Sequence, residues 1–218
     1  KRGIAKVSMP GGCVFGARPI DLHLKGLKAL DSDIKIEHGY IIAKKKKRLK
    51  GNSIYLGGAF GSSVLATGNV IMAAVLAEGK TIIENAACEP EVMDLCDFLV
   101  KMGAKIKGRL TPVLEIEGVK SLKGARHAVI SDRIEAGTFM AAAAITHGDI
   151  IIHDARIHHL GAVIDVLRQA GVTIVPVGED AVRVYVKDEL KPFNITTLAY
   201  PGFPTDMQAQ AMALMTVI

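Results

Sequence analysis

"LCDFLVKMGAKI", Leu95 to Ile106, decides how this sequence is read, because the same pattern returns elsewhere in the chain. It aligns without gaps with "VIDVLRQAGVTI" (Val163 to Ile174) and more loosely with "HLKGLKALDSDIKI" (His23 to Ile36). Val92, Leu95, Cys96 and Leu99 keep the i, i+3, i+4, i+7 spacing of one helix face, and a turn and a short strand follow. Each copy thus predicts helix, turn and strand. A second pair, "NVIMAAVLAEGKTIIENAA" (Asn69 to Ala87) and "TFMAAAAITHGDIIIHDAR" (Thr138 to Arg156), repeats with Gly79 opposite Gly148 as the expected helix stop. The period is about seventy residues.

Outward from that stretch, one whole unit reads strand ("NSIYL"), helix ("GNVIMAAVLAE", Gly68 to Glu78), strand ("KTIIENA"), helix ("PEVMDLCDFLVKM"), strand ("AKIKG") and strand ("VLEIEG"). This is a βαβαββ module in an α/β fold. Seams fall at "LKG" (Leu49 to Gly51 and Leu122 to Gly124) and at "LKP" (Leu190 to Pro192). The first module lacks its opening half, and the chain stops inside a predicted helix at "MQAQAMALMTVI", so the sequence reads as an internal fragment of a longer one.

Composition narrows the function. Half of the 218 residues are hydrophobic, enough for an ample core, but Trp is absent and aromatics make up 5%, which disfavours nucleic-acid binding by base stacking. The net charge of +5 owes much to Lys44–Lys47, Arg48 and Lys50, read as a solvated turn between strands; the mild positive field favours small anions. Cys13, Cys88 and Cys96 show no metal-ligand spacing and no paired framework, which points to a reducing compartment. The longest apolar run, near "FMAAAAI", is much shorter than the ~20 residues a bilayer span needs. The expectation is a soluble, cytoplasmic protein with neither nucleic-acid nor membrane partners.

Three loops lead to helix starts, where unpaired N–H groups and the positive dipole end favour anions: "GGAFGSSVLATGN" (Gly57 to Asn69), "SDRIEAG" (Ser131 to Gly137) and "AYPGFPTDMQ" (Ala199 to Gln208). The first is the best phosphate candidate, with Ser62 and Ser63 as hydroxyl donors, although a glycine-rich loop is also an ordinary turn. In "MPGGCVFGARP" (Met9 to Pro19), Gly11, Gly12 and Gly16 place Cys13 in an exposed loop with Arg18 nearby, either a reactive thiol or an inert one. Cys96 belongs to the core face of its helix, and Cys88 lies beside Glu89 and Glu91, which disfavour its thiolate. Asp206 is a dipole-favoured carboxylate or a proton acceptor for a substrate hydroxyl.

"PGGCVFGARPIDLHLKGL", "AAVLAEGKTIIENAACEPEVMDL", "SDRIEAGTFMAAAA" and "FPTDMQAQ", in this order over essentially the whole chain, resemble the UDP-N-acetylglucosamine enolpyruvyl transferase family. The resemblance implies an inside-out α/β barrel fold in two domains. The first occupies residues 1–130 and the second begins at 131–218, both incomplete in this chain. It implies transfer of the enolpyruvyl group of phosphoenolpyruvate to the 3-hydroxyl of UDP-N-acetylglucosamine, with release of phosphate and with no metal or organic cofactor. This reaction is the first committed step of peptidoglycan synthesis.

By the same resemblance Cys13 is the proton donor, the site of a covalent phosphoenolpyruvate adduct and the thiol that fosfomycin alkylates. Arg18 meets the anionic substrates, Pro19, Ile20, Asp21 and Leu22 contact the nucleotide sugar, and Asp206 takes the hydroxyl proton. Gly61, Ser62, Ser63 and Val64 fall where the family binds the uridine diphosphate. There this chain departs from the pattern: Gly61 stands at a position where many members have lysine, and the loop is about three residues longer. The oligomeric state is left open, a monomer included. A shikimate-pathway enolpyruvyl transferase, which lacks the cysteine loop, and a non-catalytic nucleotide-sugar binding module are the alternatives.

Overall fold

The computed structural model describes residues 3–11, 19–45, 47–59 and 61–218. The chain divides into two units, Lys1–Ala128 and Val129–Ile218. The first contains β1 (Ile4–Ser8), α1 (Asp21–Ala29), β2 (Asp33–Glu37), β3 (Tyr40–Lys44), β4 (Ser53–Tyr55), α2 (Val64–Ala74), β5 (Lys80–Glu84), α3 (Pro90–Lys101), β6 (Lys105–Lys107) and β7 (Val113–Glu117). The second contains α4 (Arg133–Ile145), β8 (Asp149–His153), α5 (Gly161–Gln169), β9 (Val172–Val177), β10 (Ala181–Val186) and α6 (Gln208–Met215). From β4 to β7 the order is the expected βαβαββ.

The sequence repeat returns as topology. The sheets run β1-β3-β2, β8-β10-β9 and, within the four-stranded β4-β5-β7-β6, β5-β7-β6. In each the last strand of the repeat is central and antiparallel to both neighbours. The crossover helix makes the outer two strands parallel, and a tight turn then folds the third between them. That turn is clearest at His38 and Gly39, whose φ of 50° and 76° form a two-residue hairpin loop. Where each helix gives way to its strand one residue is left-handed: Gly103 (φ 104°), Gly171 (φ 95°) and Asp31 (φ 67°). Asp31 is thus the conformational equivalent of the two glycines, a position a short polar side chain tolerates.

Three expectations need correction. Helix α2 begins at Val64 and not at Gly68, because the Ser63 side chain accepts a hydrogen bond from the Ala66 N–H at 3.3 Å and starts the helix a turn earlier. Thr67 and Gly68 are buried in its first turns; a Cβ on Gly68 would lie 3.3 Å from Leu95 Cδ2 of α3. Helix α4 stops through His147 (φ 49°), not through Gly148. Arg48 of the basic cluster is no solvated side chain: it donates to the carbonyls of Leu76, Ala77 and Val119 at 3.1, 3.0 and 2.7 Å, whereas Lys44, Lys47 and Lys50 are exposed and Lys45 and Lys50 pair with Asp31.

Each unit has its own apolar core. In the first, Leu56, Ile71, Ile83, Leu114 and Ile116 are fully buried between helices and sheet, and Cys96 joins them. In the second, Met140, Leu160, Val182, Val184 and Leu214 do the same. Helices α1 and α2 cross closely enough that a Cβ on Gly26 would sit 2.2 Å from Val70 Cγ2 and 3.4 Å from Leu56 Cδ1.

Two outcomes are expected. Gly26→Ala should lower the free energy of unfolding by about 1–3 kcal/mol, read from the denaturant midpoint, because the extra methyl forces α1 off α2. Burial raises the Cys96 thiol from 9.0 to about 11, with Asp97 adding in the same sense. The folded chain therefore holds that proton more tightly than the unfolded chain, so the stabilisation is whole below pH 9.0 and is lost as pH rises through about 11. Since Cys96→Ala carries a constant packing loss but no such titration, the stability gap between parent and variant should narrow from pH 9.0 to about 11.

Candidate functional site

In the first unit, β4 and β5 run parallel with Tyr55 beside Glu84, so both strands leave the sheet at the same edge. The loop that follows β4 enters α2, and the loop that follows β5 enters α3. Ligands of open α/β sheets bind beyond the carboxyl ends of parallel strands. Gly58 and Gly61 exchange backbone hydrogen bonds at 2.9 and 3.1 Å, and Gly61 is left-handed at φ 88°, so the loop is pinched into a closed turn before Ser62. Ser63 then caps α2 with its hydroxyl oxygen as acceptor. Its proton remains free to donate to an anion.

Helix α1 brings the second group of expected residues to the same place. Pro19 and Asp21 are exposed; Ile20 is the residue before α1, and Leu22 packs inward. A Cβ on Gly58 would be 3.4 Å from Leu22 Cδ1, which puts the α1 start against the pinched turn. Asn69 and His23 bond through Nδ2 and Nδ1 at 2.7 Å, while Lys25 reaches the Gly57 carbonyl at 3.4 Å and lies over the Tyr55 ring at 5.3 Å. Burial lowers the pKa of His23 against the raising effect of Asp21, which favours the neutral ring beside the Asn69 amide. Leu22, at the α1 start, thus meets the turn that precedes Ser62, Ser63 and Val64. Cys13 and Arg18 lie outside the described residues.

The β5–α3 loop closes the edge. Asn85 is left-handed at φ 57°, its amide nitrogen 2.8 Å from where a Gly57 Cβ would be, and the buried Thr67 hydroxyl accepts from the Ala87 N–H at 3.1 Å. Cys88 is half-buried there, and burial followed by the Glu89 charge raises its pKa, which disfavours its thiolate. His23, Lys25 and Asn85 also lie at this edge, and the sequence pattern alone does not single them out. The left-handed Asn85, matched by Asp154 (φ 55°) one repeat later, is a signal that the aligned repeats carry.

In the second unit Asp206 is exposed on a single 3-10 turn, Thr205–Met207, that runs into α6. The turn is anchored on α4: Met207 is buried against Gly137, whose Cβ would lie 3.0 Å from Met207 Sδ, and Gln210 Nε2 donates to Thr138 Oγ1 at 2.8 Å. The start of α4 is not an open anion site, because the Asp132 carboxylate already accepts from the Ile134 and Glu135 N–H groups at 2.7 and 3.2 Å. Among the described residues no His, Cys, Asp and Glu cluster could hold a metal ion, and no helix is long and apolar enough to cross a membrane.

Known proteins match the chain throughout. It is 57% identical over 217 residues to UDP-N-acetylglucosamine 1-carboxyvinyltransferase 1 of Caldanaerobacter subterraneus, which covers 100% of this chain and 51% of that protein. It is 54% identical over 216 residues to UDP-N-acetylglucosamine 1-carboxyvinyltransferase of Acidobacterium capsulatum, covering 99% of the chain and 49% of the relative. The chain spans about half the length of the curated relatives it matches. Among solved structures, the enolpyruvyl transferase NikO from Streptomyces tendae superposes with a TM-score of 0.83 at 21% identity, over 99% of this chain and 51% of that one. An EPSP synthase from Acinetobacter baumannii gives 0.58 at 22% identity over 90% of this chain and 44% of its own. The enolpyruvyl transferase fold expected from the sequence is therefore the one observed. The profile of the family described as EPSP synthase (3-phosphoshikimate 1-carboxyvinyltransferase) matches residues 2–218, and the chain belongs to that family.

Proposed function

We propose that the protein carrying this chain transfers the enolpyruvyl group of phosphoenolpyruvate to the 3-hydroxyl of UDP-N-acetylglucosamine, as the first committed step of peptidoglycan synthesis in the cytoplasm. The observation that carries this reading is the identity of more than half of all residues, along the entire chain, with proteins named for that reaction. The two units are then parts of the first and second enolpyruvyl transferase domains.

The chemistry is an addition followed by an elimination. The sugar oxygen bonds to C2 of phosphoenolpyruvate while C3 takes a proton. Loss of a C3 proton and of the phosphate then restores the double bond, now on the sugar. In this scheme Asp206, exposed at the head of α6, takes the hydroxyl proton. Cys13 supplies the C3 proton; in the covalent adduct its sulfur is bonded to C2, and that C–S bond breaks, with the thiol leaving, before the sugar oxygen takes its place. Arg18 holds the anionic groups by charge-assisted hydrogen bonds. The edge formed by Pro19, Ile20, Asp21 and Leu22 with Gly61, Ser62, Ser63 and Val64 receives the nucleotide sugar, its phosphates placed toward the α2 start. No step calls for a metal or an organic cofactor.

Phosphate release by the full-length protein should depend on phosphoenolpyruvate together with UDP-N-acetylglucosamine. Turnover with shikimate 3-phosphate in its place would instead assign the acceptor for which the family profile is named. Fosfomycin should alkylate Cys13 and leave Cys88 and Cys96 unlabelled, as read by peptide mapping; an adduct on Cys96 with none on Cys13 would overturn the thiol assignment. Arg18→Ala should cost at least tenfold in kcat/KM, since each charge-assisted bond contributes roughly 1.5–3 kcal/mol, while the melting temperature stays close to that of the parent.

A further inference from the structure

Among the described residues of the first unit, one acidic side chain is buried with a carboxylate oxygen that makes no hydrogen bond. Glu89, at the start of α3, is 9% exposed, and its Oε2 is shielded from solvent with no hydrogen-bond partner. It makes no side-chain cap to α3. The positive end of the α3 dipole offsets part of the charge, but an exposed carboxylate would gain the same benefit without losing water. A buried carboxylate oxygen left unpaired asks for an explanation, and a ligand that binds to it is one.

Its position supplies one. Glu89 ends the β5–α3 loop, which leaves the sheet at the same edge as the β4–α2 loop and is tied to α2 by the Ala87 to Thr67 hydrogen bond. We propose that Glu89 is a substrate-binding residue whose free carboxylate oxygen accepts a hydrogen bond from a neutral O–H or N–H donor of the nucleotide sugar. This rests on the acceptor reading above. A carboxylate repels the phosphates, so the complementary groups are the uncharged donors on either side of them: the hydroxyls and amide of the amino sugar, or the ribose and base of the nucleoside.

The test uses the full-length protein with Glu89→Gln, Glu89→Ala and the parent, titrated calorimetrically with UDP-N-acetylglucosamine and separately with UDP. Glu89→Gln keeps the shape but removes the charge, so its melting temperature should equal or exceed that of the parent, whereas its Kd for UDP-N-acetylglucosamine should rise about tenfold, and that of Glu89→Ala further. The KM for phosphoenolpyruvate should move less than twofold. An unchanged Kd for UDP places the donor on the amino sugar, and a parallel loss places it on the nucleoside. If both variants bind UDP-N-acetylglucosamine within twofold of the parent, or if Glu89→Gln loses stability in step with affinity, Glu89 is structural and the inference falls. If the parent itself does not bind the nucleotide sugar, the acceptor reading fails first and takes this one with it.

Discussion

The close approach of α1 to α2 at Gly26 governs what the first unit can offer a ligand. Only a residue without a side chain lets Val70 and Leu56 reach the α1 backbone, and only at that separation does Leu22 meet the turn at Gly58. The Asn69–His23 and Lys25–Gly57 contacts follow from the same spacing. Two segments far apart in sequence thereby share one edge of a sheet. The geometry of that edge is a property of helix packing first and of loop chemistry second.

That edge also shows how the fold divides its polar groups. Thr67 and Ser63 spend their oxygens on backbone N–H groups, which fixes the loops, and Asp132 does the same for α4 in the second unit. Glu89 does not. Satisfied groups hold geometry, and an unsatisfied one keeps free energy in reserve for a partner that arrives later. In the second unit the corresponding economy is steric: Met207 fills the space at Gly137, so the turn bearing Asp206 rests on a packed support while its carboxylate stays in solvent.

Much of this was legible in the sequence. The pattern from Leu95 to Ile106 predicts helix, turn and strand, and α3 and β6 follow it; the expected helix from Pro90 to Met102 is found from Pro90 to Lys101. The repeats predict equivalent units, and the three sheets share one strand order. Local propensity failed where a distant partner decided the outcome. Thr67 resembles a loop residue until the Ala87 N–H bonds to its hydroxyl. Arg48 resembles one of a run of solvated cations until the end of α2 presents its carbonyls. The α1 start and the β4–α2 loop could be singled out as candidates in the sequence, but the contact between them through Leu22 and Gly58 could not.

Arg48 has a mechanical consequence. Its guanidinium joins the chain just before β4, the carbonyls of Leu76 and Ala77 after α2, and that of Val119 where the chain leaves β7. Gly118 and Val119 are also bonded to Gly79 and Val75, so three stretches distant in sequence meet around one planar cation. None of them can open without disturbing the other two. The amides of this junction belong to one cooperative block, and hydrogen exchange at the end of α2 should keep pace with exchange at Gly118 and Val119 rather than with the fraying of an ordinary helix terminus.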